Sequence, residues 1–514
     1  MKENNSRTKN SALNVMVSLL SQLVTQIMSF VIRTVFIKTL SIEYLGINGL
    51  FTNILTVMSL AELGIGSALI YSMYKPMANK DINQIQIYMN LYKKIYRVIG
   101  IIVFIIGLTL VPFLDFFVAG STDAENIELI YILYVLKTVA TYFFAYKQSI
   151  FIADQKNYII NTNTLIFTTL RSVLEIITLV ATRNFIVYLT ISVVCNFAQN
   201  IYIAHKANKE YPFIKEKKQE KASREVTTEL FKNVKAMFLH KIGSVVLNSS
   251  DAIVISKFMG LASVGLFSNY SMIIVIIKNT INTVFDGIVP SVGNLYTTSS
   301  KKGMYQIYNA ISLLNMWFVG FCSICLYILI NPFITIWIGE EYLLPLSTVL
   351  AIIISFYIQL SLRSTEIFKS ATGLFYNDRY IPLIQCVINL SFSIILINPL
   401  GITGVYIGTI IAILTTTFWI QPLLIFKKIF NQSIWKYFSY YIKFTIVTIL
   451  ALFLTEFTTN FYVEPGIIGF IYKILCCLLI PNVVYLLIYH KNEEFIFLYN
   501  KFIPLLKKTL KHNH

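Results

Sequence analysis

The fold is decided by residues 241–286, KIGSVVLNSSDAIVISKFMGLASVGLFSNYSMIIVIIKNTINTVFD. The stretch predicts two apolar helices of membrane-spanning length that nevertheless contain charges. On the first helix, polar side chains recur at i, i+3, i+7 and i+10 and share one face: Lys241, Ser244, Asn248 and Asp251. On the second they recur at i, i+4 and i+8: Lys278, Asn282 and Asp286. Because a charge at the centre of a membrane helix costs about 2.5–3.5 kcal/mol, both faces are predicted to contact a partner or water rather than lipid.

The composition indicates that the whole chain is a polytopic membrane protein. Of 514 residues, 56% are hydrophobic and 13% are charged, whereas soluble domains average about 25% charged residues. The formal net charge of +17 does not indicate a nucleic-acid partner, because the basic residues lie in short connections between apolar runs. The six cysteines all lie within apolar runs. The Cys-x-x-Cys pair, Cys322 and Cys325, lacks an accompanying His or second pair of that kind, so packing is predicted rather than a metal or redox site.

Apolar runs of about 20 residues or more predict about fourteen transmembrane helices in an all-α fold. They fall near 13–37, 45–72, 95–117, 127–148, 158–181, 184–205, 236–258, 264–289, 305–330, 345–362, 381–398, 402–426, 437–457 and 466–489. No cleavable signal is predicted, because the first run contains Gln, Ser and Arg.

The distribution of Lys and Arg predicts the orientation. Basic residues are concentrated before the first helix, in alternate connections and after His490, with the densest group between Lys206 and Lys235. The intervening connections are poor in bases, and several are acidic. By the positive-inside rule both termini are predicted to be cytoplasmic, which requires an even number of spans.

An internal repeat predicts two related halves. KTLSIEYLG at 38–46 and KFMGLASVG at 257–265 have the same Lys-to-Gly spacing and the same place in a six-helix series. Two parallel repeats of this kind are a transporter architecture. The predicted organisation is a six-helix lobe at 1–205, a basic cytoplasmic linker at 206–231, a second six-helix lobe at 232–430, and two extra helices with a basic tail at 431–514. The lobes are expected to be pseudo-symmetric bundles around a central cavity.

Helices one and two carry polar faces that match those of helices seven and eight. The first face consists of Gln22, Gln26, Ser29 and Arg33, and the second of Thr52, Thr56, Ser59 and Glu62. For the uncharged members, helix–helix hydrogen bonding and a cavity lining are both open interpretations. For the charged members of the four faces, a water-filled path is predicted because intramembrane charge is costly.

Other charges within the predicted spans leave two interpretations each. Arg171 and Glu175 are four residues apart on one helical face, which fits either an internal ion pair or a substrate contact. Lys137 is deep in the fourth helix and fits either an internal role or snorkelling to the membrane surface.

Several runs resemble bacterial polysaccharide repeat-unit flippases of the capsule type. They are YLGINGLF at 44–51, SLAELGIGSA at 59–68, YKP at 74–76, ADQKNY at 153–158, HKIG at 240–243, SKF at 256–258, SVGN at 291–294 and GLFYNDRY at 373–380. The likeness covers roughly residues 10–430. These flippases belong to the multidrug/oligosaccharidyl-lipid/polysaccharide (MOP) exporter superfamily.

The resemblance implies alternating access and outward transport of an undecaprenyl-diphosphate-linked oligosaccharide across the bacterial cytoplasmic membrane. It implies that cationic residues of the cavity, here Arg33, Lys241 and Lys278, meet the lipid diphosphate. The sugars need hydrogen-bonding walls, which the polar faces with Gln22, Gln26, Asn248 and Asn282 are expected to provide. The resemblance also implies H⁺ or Na⁺ coupling at Glu62, Asp251 or Asp286. The last two helices would form a groove for the polyprenyl tail. A polysaccharide polymerase and glycosyltransferases would be pathway partners.

Two other functions compete with this expectation. A multidrug/cation antiporter of the same superfamily would favour an acidic cavity, whereas these faces mix bases and acids. A membrane polysaccharide polymerase or ligase would need a sizeable outer domain, yet the predicted outer connections are only about 5–20 residues. No ATP-binding loop of the Gly-x-x-x-x-Gly-Lys-[Ser/Thr] type is present. A non-enzymatic transporter without a cofactor is therefore expected.

Overall fold

The computed structural model describes residues 2–62, 65–118, 126–215, 245–298 without 246 and 248, 300–374, 377–462 and 466–500. Regular structure in these ranges is helical throughout. The chain divides into two compact units, Met1–Ser268 and Asn269–His514, which we call unit 1 and unit 2. The prediction of an all-α membrane fold is confirmed.

In unit 1, helix α1 packs along α7, and α6 packs between α4 and α8. The helices are α1 Lys2–Thr39, α2 Ile42–Met58, α3 Ile65–Ala78, α4 Ile82–Leu110, the short α5 Leu114–Phe117, α6 Ile127–Ala153, α7 Asn157–Thr182, α8 Phe185–Glu210 and α9 at 249–259. Edge-to-face aromatic contacts join α2 to α6, where Phe51 meets Tyr131 and Tyr134 at ring distances of 5.0 and 5.9 Å.

Unit 2 contains most of α10 and the helices that follow. They are α10 Leu261–Asp286, α11 Val289–Thr298, α12 Lys301–Trp337, α13 Leu346–Ser361, α14 Arg363–Thr372, α15 Ile381–Leu400, α16 Ile402–Thr415, α17 Thr417–Ile425, α18 Ile434–Thr459, α19 Ile467–Tyr489 and α20 at 493–500. Helices α15 and α16 form a close pair, in which Gly404 and Gly408 lie against the α15 backbone. The last two long helices, α18 and α19, pack on each other and on α12.

Twelve stretches of the described chain are long and apolar enough to cross a membrane. They correspond to twelve of the fourteen predicted runs. Of the other two, 236–258 lies largely outside the described residues, and 45–72 is divided into two helices. The total of fourteen therefore stays a prediction.

The prediction of one continuous helix over 45–72 is wrong. Helix α2 ends at Met58, a 3₁₀ turn follows at Ser59–Glu62, and α3 begins at Ile65. The hydroxyl groups of Thr56 and Ser59 donate to backbone oxygens three or four residues earlier, and such bonds compete with the helix ladder and bend it. Glu62 consequently does not continue the α-helical face of Thr52 and Thr56.

The two glycines of the predicted repeat contact each other's helices reciprocally. A Cβ on Gly46 would lie 2.0 Å from the Leu261 carbonyl oxygen, and a Cβ on Gly265 would lie 2.6 Å from the Ile42 carbonyl oxygen. Each glycine therefore meets the residue four positions before the other glycine. This two-fold correspondence agrees with the repeat inferred from the two Lys-to-Gly segments.

The predicted domain boundaries stay predictions. Helix α8 extends into the predicted linker as far as Glu210, and residues 216–231 lie outside the described ranges. The second boundary, at 430–431, falls where a π-helical turn at Phe426–Phe430 precedes α18.

Candidate functional site

Unit 1 brings charged side chains from three membrane-spanning helices into its interior. Arg33 comes from α1, Lys137 from α6, and Arg171 and Glu175 from α7. We call these four residues the cation cluster. The sequence predicted Arg33 as a cationic contact and placed Arg171 with Glu175, but it did not connect either with Lys137.

Arg33 lies where α1 approaches the beginning of α10. Its Nη2 donates to the Ser268 hydroxyl, and that hydroxyl donates to the Gly265 carbonyl oxygen at 2.8 Å. The phenols of Tyr134 and Tyr188 lie within electrostatic range of the guanidinium. Tyr134 in turn donates to Asn48 Oδ1 at 2.5 Å. Ser268, Tyr134 and Tyr188 are thus neutral side chains that help to orient the guanidinium.

Lys137, Arg171 and Glu175 form the second part of the cluster. Lys137 Nζ donates to Ser192 Oγ on α8 at 2.7 Å, and Glu175 interacts electrostatically with both Lys137 and Arg171. Arg171 Nε lies 3.6 Å from Glu175 Oε1, and the Glu175 side chain is only 4% exposed. Of the two interpretations of this pair, the internal ion pair is therefore the contact present in the structure.

Tyr188 connects the two parts of the cluster. Its phenol is in electrostatic range of Arg33, Arg171 and Glu175. Its ring packs against Phe36 of α1 and Phe185 of α8, at centroid distances of 5.6 and 5.7 Å. Tyr188 therefore lies within range of both parts of the cluster, and its ring packs α1 against α8.

The charges around Glu175 do not balance within the described residues, because two bases, Lys137 and Arg171, face one acid. Counted at 1.5 Å per residue, Arg33 lies about 9 Å from the end of α1, and Lys137 lies about 15 Å from the start of α6. These depths place the charges inside the spans rather than at their ends. Excess positive charge in a low-dielectric interior attracts an anion strongly, and phosphate oxygens are the strongest acceptors for Arg and Lys donors.

Glu62, predicted to couple an ion, occupies a separate position against α4. The phenol of Tyr96 donates to Glu62 Oε1, and the Tyr92 ring stacks on the Tyr96 ring at 4.6 Å. A Cβ on Gly66 would lie 2.7 Å from Tyr96 Oη, so a glycine at that position lets the phenol reach the carboxylate. This arrangement is a membrane carboxylate held by a phenol donor.

The predicted residues of unit 2 fall into two groups. Lys278 Nζ donates to Gln359 Oε1 on α13, and Asn282 lies half-buried one turn later. Asp286, the last residue of α10, pairs with Arg363 at the start of α14, and Arg363 also binds Glu366 at 2.8 Å. The Asp286 side chain is 63% exposed. Lys278 and Asp286 therefore have different surroundings, although the sequence placed them on one face.

The remaining predicted site residues have simpler positions. Gln22 and Gln26 are half-buried on α1, and Asp251 is half-buried on α9. Lys241 and Asn248 lie outside the described residues. Within the described ranges no group of three His, Cys, Asp or Glu side chains is placed to hold a metal ion.

An apolar groove of about 470 Å³ lies between α12, α19 and α20. Its lining consists of Leu313, Leu314, Trp317, Phe318, Phe321, Asn482, Leu486, Phe495, Leu498 and Tyr499. Trp317 Nε1 donates a hydrogen bond to Asn482 Oδ1 at 2.8 Å. The wall is therefore almost wholly hydrocarbon and aromatic, which suits an apolar chain. The sequence implied a groove at the last two helices, but it did not indicate the contributions of α12 and α20.

Comparison with solved structures defines the class of protein to which this fold belongs. A structure titled lipid II flippase MurJ, in an inward closed conformation, matches with a TM-score of 0.67 and 14% identity, covering 93% of this chain and 99% of that chain. An inward-facing multidrug resistance MATE transporter of the MOP superfamily matches with a TM-score of 0.59 and 14% identity, covering 77% and 94%. A mutant of the Vibrio cholerae MATE transporter VcmN matches with a TM-score of 0.57 and 15% identity, covering 84% and 99%. The fold is that of the MOP transporters.

The family follows from the sequence. The model of the family described as polysaccharide biosynthesis protein matches residues 11–295, more than half of the chain. This protein belongs to that family, and the resemblance to MOP-superfamily polysaccharide exporters is confirmed. A search of curated proteins finds no matching relative.

Proposed function

We propose that this protein moves undecaprenyl-diphosphate-linked polysaccharide repeat units from the inner to the outer leaflet of the bacterial cytoplasmic membrane by alternating access. The observation that carries the proposal is the cation cluster of unit 1, in which Lys137 and Arg171 outnumber Glu175 and Tyr188 lies within electrostatic range of Arg33, Arg171 and Glu175. Membership of a polysaccharide biosynthesis family supports the choice of substrate.

The chemistry of a lipid diphosphate matches the cluster. A diphosphate that enters a membrane protein loses its hydration and needs fixed cations in its place. Arg33 and Arg171 supply planar forks of N–H donors that suit phosphate oxygens, and Lys137 supplies a point charge. Glu175 reduces the excess charge, so an anion is attracted without the site becoming so basic that the anion cannot leave.

The apolar groove of unit 2 suits the other end of the substrate. We place a prenyl chain there because its wall offers Leu, Phe and Trp side chains and its one Trp N–H is already hydrogen-bonded. Burial of hydrocarbon releases about 0.8 kcal/mol for each CH₂ group. The polar Gln22, Gln26 and Asn282 side chains remain our candidates for contacts with the sugars.

A flipping assay with reconstituted protein tests the proposal. We expect Arg33→Gln and Lys137→Gln each to slow the outward movement of a fluorescent undecaprenyl-diphosphate oligosaccharide in proteoliposomes by tenfold or more. Lys38→Gln is the matched control, because Lys38 is an exposed cation on the same helix as Arg33. Normal flipping rates in both cluster variants, with protein that unfolds at the native temperature, would overturn the diphosphate site.

A cellular assay extends the test to the other predicted cations. Lys241→Ala or Lys278→Ala is expected to make lipid-linked repeat units accumulate on the inner leaflet, before the polymerase can use them. Accumulation should depend on the glycosyltransferases that make the repeat unit. Unchanged surface polymer in both variants, at normal protein levels, would remove Lys241 and Lys278 from the substrate path.

A cation antiporter is the second candidate, and Glu62 is the observation that favours it. A carboxylate held by Tyr96 within the spans is suited to exchange a proton for a cationic drug. The two functions differ in the charge of the transported molecule. An antiporter would release protons from proteoliposomes when a cationic drug is added, whereas the proposed flippase would respond only to the lipid diphosphate. For the flippase, Glu62 is the favoured coupling position over Asp286, which is paired with Arg363.

A further inference from the structure

Unit 2 contains a second cavity that the proposed transport does not use. It measures about 470 Å³ and lies between the first turns of α12, the first turns of α18 and the start of α20. Five phenols line it, and we call it the tyrosine cavity: Tyr305, Tyr308, Tyr437, Tyr440 and Tyr441. Its size is in the range of small-molecule sites in proteins.

Two of these phenols have hydroxyl groups without a hydrogen-bond partner among the described residues. Tyr437 is only 6% exposed. Its Oη, like that of Tyr440, is buried and has no hydrogen-bond partner in the described chain. The Tyr437 ring is held by Phe426 and by the stacked ring of Tyr441, at 5.8 and 6.2 Å. Buried polar groups are nearly always hydrogen-bonded, so two orphaned hydroxyls lining one cavity indicate a ligand with acceptor oxygens.

The charge around the cavity indicates that this ligand is an anion. Two lysines of α18 line the cavity, Lys436 and Lys443. They lie four residues before and three residues after Tyr440, so both share a helical face with this phenol. Lys436 Nζ is hydrogen-bonded to Gln432 Oε1 at 2.8 Å and lies 5.8 Å from the Tyr305 ring centre. No carboxylate of the described residues forms an ion pair with either lysine. Glu494 is the one acid in the lining, which leaves a net positive charge.

The position of the cavity along α18 indicates where the anion comes from. Trp435 is 70% exposed and stands beside Lys436 in the first turn of a predicted membrane span. Trp and Lys are the residues that occupy the headgroup level at the ends of transmembrane helices. A cavity opening at this level meets lipid headgroups, and basic pockets between helix ends are known to bind phosphorylated ones.

We propose that the tyrosine cavity binds a polyol phosphate ester, carried by an anionic phospholipid of the surrounding leaflet. Tyr437 and Tyr440 donate to the phosphate or glycerol oxygens, and Lys436 and Lys443 neutralise the phosphate charge. The bound lipid fixes the start of α18 against α12 and α20. This site is separate from the cation cluster, and its occupant is retained rather than transported.

Ligand-dependent unfolding of purified full-length protein tests the proposal. Delipidated protein in neutral detergent is titrated with phosphatidylglycerol, phosphatidylcholine and soluble glycerol phosphate. We expect phosphatidylglycerol to raise the unfolding temperature and to bind at least tenfold more tightly than phosphatidylcholine. The double variant Tyr437→Phe/Tyr440→Phe should weaken phosphatidylglycerol binding tenfold or more, and Lys443→Gln should weaken it severalfold.

The controls separate the possible outcomes. Tyr472→Phe is matched, because Tyr472 donates to the Thr458 carbonyl oxygen at 2.9 Å, near the other end of α18. Without lipid, the double variant should unfold at the native temperature or above, because the hydroxyls it removes have no partner. A lower unfolding temperature would contradict that premise.

Equal phosphatidylglycerol affinity in the native and double-variant proteins, or equal affinity for the two lipids, would overturn the proposal. If glycerol phosphate binds as tightly as the lipid and is lost in the double variant, the phosphate chemistry stands and the lipid source is overturned.

Discussion

At the scale of single residues, Glu175 decides whether the cation cluster is tolerated. It is the one acid of the described cluster, with Arg171 3.6 Å away and Lys137 within electrostatic range. Glu175→Gln would keep the shape of the side chain and leave Arg171 and Lys137 without a counter-charge. Because removal of one member of a buried ion pair typically costs about 3–5 kcal/mol, we expect a comparable loss in the free energy of unfolding, measured in detergent.

The double variant Arg171→Met/Glu175→Leu discriminates this explanation from general damage to α7. Replacing both members by apolar residues leaves only Lys137 without its counter-charge, so the double variant should be clearly more stable than Glu175→Gln. Glu128→Gln, an exposed site on α6, is the control for losing a carboxylate. Equal destabilisation by the single and double variants would contradict an electrostatic role.

A loop between α6 and α7 gives a prediction of pH dependence. Lys156 Nζ lies 2.8 Å from Asp154 Oδ2 and 2.6 Å from Glu210 Oε1, and the Tyr211 phenol donates to Asp154 Oδ2 at 2.6 Å. Burial lowers the pKa of Lys156, but the hydrogen bonds and charges of Asp154 and Glu210 outweigh it and raise the pKa above the ordinary 10.5. The pKa of Tyr211 is raised by burial and by the bond to Asp154.

Both shifts favour the protonated forms in the folded protein, so the stabilisation is complete below the ordinary pKa values and is lost as the pH rises through the folded-state values. We expect the difference in unfolding temperature between the native protein and Lys156→Met to be constant between about pH 6 and pH 9 and to shrink at higher pH. Lys94→Met, at an exposed lysine of α4, should show no such trend. A difference that does not shrink above about pH 10 would disprove the assignment.

What the sequence could predict at this scale was the presence of costly charges, and what it could not predict was their partners. Intramembrane charge marked Arg33 and the Arg171–Glu175 pair. The contact of Lys137 with Ser192 joins α6 to α8, and that of Asp286 with Arg363 joins residues 77 apart. Periodicity describes one helix at a time, so it assigns a face without saying which other helix covers that face. The orphaned phenols of the tyrosine cavity gave no sequence signal at all.

At the scale of helices, the reciprocal glycines give the sharpest prediction. A Cβ at Gly46 would lie 2.0 Å from the Leu261 carbonyl oxygen, a backbone atom that cannot rotate away. Gly46→Ala must therefore move α2 away from α10. We expect a loss of about 1–3 kcal/mol in the free energy of unfolding, typical of overpacking. The loss for Gly265→Ala should be smaller, because its Cβ would lie 2.6 Å from the nearest carbonyl oxygen.

Gly287→Ala is the control for this contact. Its nearest neighbour would be the Val284 carbonyl oxygen at 3.5 Å, an ordinary van der Waals distance. This variant should unfold at the native temperature and be transport-competent. If Gly46→Ala were as stable and active as Gly287→Ala, the close approach of α2 and α10 would not exist in solution.

Hydrophobic length predicted the spans well because a bilayer requires about 20 apolar residues whatever the packing. The division of 45–72 escaped prediction because its causes are local and polar. The Thr56 and Ser59 hydroxyls donate to the backbone instead of to a neighbouring helix. The Glu62 carboxylate accepts a hydrogen bond from Tyr96 of α4. A run of small and hydroxyl-bearing residues within an apolar segment is the signal that could have indicated the break.

At the scale of the whole molecule, outward movement of a lipid diphosphate transfers negative charge, and the membrane potential should drive it. Each elementary charge gains about 2.3 kcal/mol per 100 mV, so about two negative charges gain roughly 4–5 kcal/mol when the inside is negative. In proteoliposomes held at 100 mV, we expect substrate to accumulate in the outer leaflet, and the bias should reverse when the potential is reversed. Equal distributions with and without a potential would mean that no net charge moves.

Glu62 separates the effect of the potential from that of a coupling ion. Glu62→Gln keeps an acceptor for the Tyr96 hydroxyl but cannot carry a proton. If H⁺ drives transport, this variant should lose its response to a pH gradient and keep its response to the potential. Asp115→Asn, at a carboxylate near the end of the α4–α5 span, is the matched control and should keep both responses. A native response of Glu62→Gln to the pH gradient would exclude Glu62 as the coupling group, because a side chain that never titrates cannot transmit a proton gradient to the substrate.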